Sequence, residues 1–440
     1  MQHPLFPLFG NPVRQACSLA VLAVSVAAAM VCQPALAEPS TDSDLPDPVL
    51  VRQLLLNRPE VLAANAADKA DRAEADRLRA GPYEYTVRLT GQQRRASDVA
   101  TEGGITRSRY TEGQLALERT LRAPGKSEVD EQVGTATIDL ATLRREDAIH
   151  EAARAMLRSW VDWLRDRAVV QLWQDQVQAQ QDLVRMAGRR VRAGDAAQLE
   201  LKAQEAALIQ TQAQLVAAQA SEASSRALLQ QHYPGLDARP ADLARPSDAE
   251  APKGDDAAMV DLLESRSHEL QLARREAQLA EVKARKQGME QRTDPTVGVF
   301  ASSERGGAEK VLGVSFSLPI GGEARSAASR QAQAQAVQAQ EAFRIVQMKV
   351  RAEAASTWMR GRALRQSWVL QDAAKAQQQA VLKTTLKGWE LGEFSQADAV
   401  LARKQYVEAA LAEVQARADA RHASLRLRLD LHELWEYDDE

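Results

Sequence analysis

The sequence predicts a mainly α-helical protein in which long antiparallel helical hairpins alternate with four short β-strands, arranged as an internal twofold repeat. Three observations support this prediction. Two very long segments without proline are each interrupted at one glycine, Gly194 or Gly392, and the helical pattern then resumes. Two short regions show strict alternation of apolar and polar residues, which is the period of a strand. Rare residues also recur at a constant offset along the chain.

The offset is 198 residues, and it relates residues that an alanine-rich helix would not match by chance. The pairs that share it are Trp160 and Trp358, Gly194 and Gly392, Asp195 and Glu393, and Glu200 and Asp398. This period is far longer than the repeats of solenoid proteins. We therefore interpret the sequence as a duplicated half-chain.

The N-terminus has the pattern of a secretory signal peptide. Arg14 precedes an uncharged run rich in Ala, Val and Leu, and the run ends in Ala35-Leu36-Ala37 before Glu38. This is the A-x-A pattern of signal-peptidase cleavage. We expect residues 1–37 to be removed, with cleavage between Ala37 and Glu38. An uncleaved anchor is the alternative, although the run barely reaches the ~20 residues that a membrane span needs.

Composition excludes several classes of protein. Removing residues 1–37 takes one arginine from 56 Lys+Arg and nothing from 60 Asp+Glu, which leaves 55 against 60 and a net charge of −5. That is not the balance of a nucleic-acid-binding protein. Cys17 and Cys32 both lie in the signal peptide, so we expect neither disulfides nor thiol chemistry. Mean hydropathy is −0.39, and no later segment resembles a transmembrane helix, so any membrane insertion must use strands.

The expected domain organisation follows the repeat. Residues 38–232 form the first repeat, 233–257 a proline-rich linker, and 258–440 the second repeat. Each repeat should contain a helix, two strands and a helical hairpin. The strands are expected at about 83–95, 110–121, 296–303 and 311–318, and the hairpin tips at Gly194 and Gly392.

The strands have one apolar and one polar face, which is typical of an outer-membrane barrel but also of a water-soluble sandwich hairpin. Four strands cannot close a barrel, since about eight is the minimum, and an open sheet edge in lipid leaves backbone groups without partners. Either several chains contribute to one barrel, or the strands never enter lipid. The helices are rich in alanine and poor in aromatic residues, which favours side-by-side packing in a closed, curved wall.

Together these features resemble the TolC-like outer-membrane efflux proteins over essentially the whole mature chain. The segments that carry the resemblance at the hairpin tips are VRAGDAAQLE (191–200) and WELGEFSQAD (389–398). The resemblance implies a homotrimer whose twelve strands form an outer-membrane β-barrel, continued by a periplasmic α-barrel tunnel. GPYEYTVRLTGQQRR (81–95) and LERTLRAPGK (117–126) are similar to the heavy-metal-exporting branch.

The resemblance also implies a function and partners. It suggests the outer-membrane channel of a tripartite efflux system, a passive conduit for metal cations or small toxic compounds. The implied partners are a periplasmic membrane-fusion adaptor, an inner-membrane RND-type pump and outer-membrane lipid. Type I protein secretion or drug efflux is the alternative within the family. A periplasmic adaptor or coiled-coil scaffold is the alternative outside it.

Functional residues are expected at the two tips. The resemblance places Gly194 and Gly392 where the adaptor docks, and Asp398 at a periplasmic constriction whose second acid is replaced here by Leu401. Under threefold symmetry Asp195, Glu200, Glu393 and Asp398 would form acid rings, which favour cations. The residues themselves also support a simpler interpretation: glycine is the usual C-terminal cap of a helix, and Ser395-x-x-Asp398 is a capping box.

No catalytic or cofactor site is expected. The five mature histidines, His150, His232, His268, His422 and His432, show no i, i+3 or i+4 pairing, so we expect no metal site. The sequence also lacks a nucleophile elbow, a phosphate loop and an HExxH motif. We expect Trp160 and Trp358 to be packing anchors. The sequence therefore indicates a protein that is not an enzyme.

Overall fold

The computed structural model describes residues 44–99, 103–236, 246–249 and 254–435. The expected cleavage between Ala37 and Glu38 lies outside these residues. The first half contains α1 (Pro48–Leu56), α2 (Pro59–Ala80), β1 (Tyr85–Val99), β2 (Ile105–Thr120), α3 (Lys126–Ala193) and α4 (Gln198–His232). The second half contains α5 (Asp256–Arg266), α6 (His268–Met289), β3 (Thr296–Glu304), β4 (Glu309–Ser317), α7 (Glu323–Glu390) and α8 (Gln396–Asp430).

The two halves repeat the same order, and their helical hairpins have equal lengths. Helices α3 and α7 each have 68 residues, and α4 and α8 each have 35. At 1.5 Å per residue the longer helices reach about 100 Å, and they pack sideways mainly against α4 and α2 in the first half and against α8 and α6 in the second. The predicted fold class, with long antiparallel hairpins, four strands and an internal repeat, is confirmed.

Two helices precede each pair of strands, α1 and α2 in the first half and α5 and α6 in the second, whereas we expected one helix there in each repeat. The first break precedes Pro59, which occupies the first turn of α2. The second lies at Ser267, whose backbone is extended and whose hydroxyl accepts a hydrogen bond from the Leu270 amide at 3.3 Å. A serine that caps the start of a helix has an extended backbone, so a helix cannot continue through it. The single helix expected at the start of the second repeat is therefore divided into α5 and α6.

All four strands form one antiparallel sheet in the order β1-β2-β3-β4. The two hairpins are joined by the pairing of β2 with β3, from Gly113 opposite Ser303 to Thr120 opposite Thr296. Within the described part of the chain, β1 and β4 are therefore the edge strands. The sheet unites residues from both repeats.

Strands β1 and β2 are longer than expected. Pairing continues to Val99 opposite Ile105, whereas the sequence pattern predicted strands only to about 95 and from about 110. The extension is mostly polar, and its side chains at 97, 105, 106, 107 and 109 are exposed, so burial imposes no apolar alternation there. The alternation that we used to define strands is consequently missing, although the backbone pairing is not.

A charged cluster connects the base of the sheet to the helices. The Asp294 carboxylate accepts hydrogen bonds from the Tyr83 hydroxyl at 2.6 Å and from the Ala123 amide at 2.9 Å. It also pairs with the buried Lys126 ammonium at 2.9 Å, while Arg122 bridges to Asp130. These contacts hold the start of α3 against the start of β3.

The largest buried cluster lies in the middle of α3, where that helix meets α1 and α8. Trp160 is 1% exposed, and its indole N–H donates to the Asp44 carbonyl at 2.7 Å. Its repeat equivalent Trp358 is 2% exposed and donates to the Asp256 carboxylate at 2.8 Å. Both tryptophans pack and donate hydrogen bonds in corresponding places, as expected of anchors.

Part of the proline-rich segment lies against the helices. The Ser247 amide donates to Asp44 at 2.9 Å, and Asp248 forms an ion pair with Arg417 of α8. Arg365 of α7 donates to the Ala249 carbonyl at 3.3 Å. Residues 246–249, within the expected linker 233–257, have no helix or strand and are attached to the second hairpin by these contacts.

Candidate functional site

One face of the sheet is apolar and exposed across all four strands. Three rows of facing residues define it: Tyr85, Arg119, Val297 and Phe316; Val87, Leu117, Val299 and Val314; Leu89, Leu115, Ala301 and Leu312. Leu89, Leu312 and Val314 are each more than 80% exposed. A continuous exposed apolar patch of this kind marks a surface that contacts a membrane, a protein partner or a ligand. Arg119 is the one charged residue in the first of these rows, and its guanidinium carbon lies 4.6 Å from the centre of the Tyr85 ring.

The opposite face of the sheet is largely polar. Arg88 pairs with Glu118 at 3.1 Å, and Gln92 donates to Glu112 at 2.8 Å. Gly313 also lies on this face, opposite Phe300 of the neighbouring strand. A Cβ added at Gly313 would lie 2.5 Å from the Phe300 ring, so this position has room only for glycine unless the ring moves. An apolar outer face with a polar inner face is the arrangement of outer-membrane barrel strands.

The two hairpin tips have the same backbone geometry. Gly194 and Gly392 have φ of 82° and 81°. At each tip the glycine N–H and the following N–H bond back to the last turn, with Asp195 to Arg190 at 2.9 Å and Glu393 to Gly388 at 2.8 Å. This is the Schellman C-cap, in which glycine is favoured because φ is positive.

The fold brings the tips together although they lie 198 residues apart in the sequence. The Gln396 amide donates to the Glu200 carbonyl at 3.2 Å. The Arg190 guanidinium lies 5.3 Å over the Trp389 ring, and Trp389 packs with Leu183 and other apolar residues of both hairpins. The paired tip is therefore one connected surface.

The four acids predicted for rings differ in environment. Glu200 is half-buried and pairs with Arg190 at 3.0 Å, so its charge is already compensated. Asp398 is exposed and completes the predicted capping box with Ser395. Hydrogen bonds from the Ser395 side chain and backbone hold the pKa of Asp398 below its usual value. Asp195 and Glu393 are exposed at the turns.

Sequence reasoning missed the residues that join the tips and the apolar ones around them. Arg190, Trp389 and Gln396 connect the two hairpins, and only the fold reveals it. The exposed apolar residues at this end are Leu199, Leu391, Phe394, Val400 and Leu401. These residues form an exposed apolar group beside the polar turns. Leu401 is 55% exposed, where the resemblance implied a second acid.

Sequence reasoning also missed a histidine cluster. His150, His268 and His432 lie together, and one nitrogen from each falls within 4.8 Å of the others. We expected no metal site because the histidines show no regular spacing. They come from three segments distant in the sequence, so spacing carried no signal.

No helix in the described parts of the chain has the length and apolarity needed to cross a membrane. No protein-family model matches the sequence. No curated protein matches it either.

A helical body of paired hairpins carrying one antiparallel sheet is the fold of the TolC-like outer-membrane channels, and the chain has this fold. The outer-membrane channel OprN is 16% identical, with a TM-score of 0.74 over 88% of this chain and 90% of that chain. The open state of the Neisseria gonorrhoeae outer-membrane channel MtrE is 13% identical, with a TM-score of 0.71 over 89% and 90%. CusC, whose crystal structures concern folding and transmembrane channel formation, is 13% identical. Its TM-score is 0.68 over 87% of this chain and 91% of that chain.

Proposed function

We propose that three copies of this chain form an outer-membrane channel that conducts solutes from the periplasm to the exterior as part of a tripartite efflux system. The observation that carries the proposal is the exposed apolar face of a four-stranded sheet with two edges. An apolar face of this extent is stable when lipid covers it. The helical body would then extend into the periplasm.

The number of strands supports three copies. A closed barrel needs about eight strands or more, and one chain contributes four. Pairing β1 of one copy with β4 of the next satisfies both edges, and closure removes the unpaired N–H and C=O groups that lipid does not tolerate. Twelve strands from a homotrimer meet this requirement, with the polar faces around a lumen.

The paired tip supports the proposal of a protein partner. It lies at the end of the hairpins farthest from the sheet, and it exposes Leu391 and Phe394 beside the glycine turns. We propose that a periplasmic membrane-fusion adaptor docks here, at Gly194 and Gly392, and connects the channel to an inner-membrane RND-type pump. The solutes proposed are metal cations or small toxic compounds.

The test is a mass measurement followed by channel recording. The mature chain, purified from outer membranes in detergent, should have the detergent-corrected mass of three copies and should open ion-conducting channels in a planar bilayer. A monomer or dimer, or full release of the protein by osmotic shock without detergent, would overturn the proposal. Osmotic-shock release is the behaviour of a periplasmic scaffold.

A further inference from the structure

We propose that His150, His268 and His432 form a binding site for one divalent late transition metal ion, such as Zn²⁺. The site joins α3, the start of α6 and the turn that follows α8. It lies within the helical body, 24 residues along α3 from the base of the sheet, or about 36 Å at 1.5 Å per residue. The inference does not depend on the proposed channel function.

The geometry is close to that of a three-imidazole site. The ring centroids lie 4.9, 5.0 and 5.7 Å apart, and one nitrogen of each ring falls within 4.8 Å of the others. Zinc–nitrogen bonds of about 2.0–2.1 Å in a tetrahedron place the nitrogens about 3.4 Å apart. Side-chain rotations that move the nitrogens by about an ångström would therefore bring them to the spacing that zinc requires. Three protein ligands leave one tetrahedral position for water or solute.

Two features of the cluster suit metal-binding imidazoles. His268 carries a buried Nδ1 without a hydrogen-bond partner among the residues that the structure describes. Nε2 of His150 lies 3.4 Å from the Asp430 carboxylate, a contact that orients metal-binding imidazoles in proteins. The adjoining cavity is lined by five acids (Asp147, Glu151, Glu269, Glu353 and Asp430) and three arginines (Arg154, Arg266 and Arg426).

The backbone at His432 is a second, independent observation. Its φ is 56°, and it occupies the position of the C-cap that glycine fills at both hairpin tips. The bonds of a Schellman cap are present here too, from His432 to Leu429 at 3.0 Å and from Glu433 to Arg428 at 2.8 Å. A histidine in this conformation is strained relative to glycine, and such strain persists only where the surrounding structure holds the residue in place. Its imidazole is delivered to the cluster by this turn.

Metal binding can be measured directly on the full mature chain, purified without a polyhistidine tag and freed of metal with a chelator. We expect equilibrium dialysis against Zn²⁺ to give one tightly held ion per chain. Co²⁺ should give the absorption spectrum of a tetrahedral site with nitrogen ligands. An octahedral spectrum in the wild-type protein, typical of oxygen ligands on an acidic surface, would overturn the proposal, as would the lack of stoichiometric binding.

Variants localise the site. His268→Gln should weaken Zn²⁺ binding by roughly 100-fold or more, since loss of a group that only supports a ligand already costs 10–100-fold. His432→Gly removes a ligand and relieves the positive φ, so this variant should fold at least as well as wild type and still lose the ion. His232→Gln and His422→Gln are matched controls outside the cluster, and their affinity should stay unchanged. Full Zn²⁺ affinity in His432→Gly would refute the assignment.

Discussion

Arg421 of α8 and Asp44, near the beginning of the described chain, form a buried ion pair across 377 positions of sequence. The guanidinium bonds both carboxylate oxygens, at 2.6 and 3.0 Å, and the two side chains are 1% and 3% exposed. The Asp44 carbonyl also accepts the Trp160 indole N–H, and its carboxylate accepts the Ser247 amide. One short segment thus fixes α3, α8 and the proline-rich region together.

We predict that Asp44→Ala lowers the free energy of unfolding by about 3–5 kcal/mol, because it leaves a buried guanidinium without its carboxylate. Asp76→Ala removes an exposed ion pair with Arg79 and should cost less than about 1 kcal/mol. Thermal unfolding followed by circular dichroism compares the two. Equal shifts of the unfolding temperature in the two variants would contradict a larger contribution from the buried pair.

The same pair should make stability depend on acid. Burial raises the pKa of Asp44, but the Arg421 guanidinium and the Ser247 amide outweigh it, so the pKa is lowered. A carboxyl whose pKa is lower in the folded chain than in the unfolded chain stabilises the fold at pH values above its unfolded pKa, which is near 3.9. This stabilisation is lost as the pH falls through the pKa of the folded chain. Asp44→Ala should therefore flatten the acid limb of the stability profile.

A second pH effect is expected from His422. Burial, and then Arg158 and Arg426, lower its pKa to about 4, while Asp162 and Asp419 oppose them. The unfolded chain binds this proton near pH 6.5 and the folded chain does not, so stability falls as the pH drops from about 6.5 to 4, by up to about 3 kcal/mol. His422→Gln should reduce that loss, whereas the exposed His232→Gln should not. Identical profiles for wild type and His422→Gln would contradict the assignment.

At the paired tip, Gly194→Val or Gly392→Val should each cost more than about 1 kcal/mol, because φ is positive there. A Cβ at either glycine meets no atom within 4 Å, so the cost is backbone strain rather than a clash. Gly188→Ala, on the same helix without positive φ, should be neutral or stabilise by about 0.5–1 kcal/mol. Hydrogen exchange of the last turn of α3 reports the changes at Gly194 and Gly188, and that of the last turn of α7 reports the change at Gly392. If trimers assemble but export is lost, the docking proposal gains support; unchanged export would remove it.

For the acid positions we predict different effects of two neighbouring changes. Asp398→Asn should lower cation selectivity in planar bilayers if three copies line a constriction, and modestly so because Leu401 replaces a second acid. Ser395→Ala keeps the carboxylate and removes the cap, so it should cost about 0.5–2 kcal/mol of stability without changing selectivity. Wild-type selectivity and ion block in Asp398→Asn would exclude Asp398 from the pore.

Features written in local sequence were predictable, and those made by distant contacts were not. The Gly194 and Gly392 turns and the apolar alternation of the strands depend on neighbours in sequence, so they could be found directly. The break at Ser267 was missed because one capping serine in a helix-forming run carries little signal. The Arg190–Trp389 contact and the three-histidine cluster exist only because separate helices pack side by side.

The matched hairpins constrain how this protein can change in length. An added residue lengthens a helix by 1.5 Å and rotates everything beyond it by about 100°, so a single insertion in α3 would displace Gly194 from Gly392 and turn Arg190 away from Trp389. Insertions that come close to a whole number of turns, of which about seven residues is a short example, keep each side chain facing the same neighbour. They must be made in α3, α4, α7 and α8 together to keep the two tips at the same height. Variants with a longer helical body should therefore differ by coordinated steps, about 10 Å for seven residues, and never by one residue in one helix.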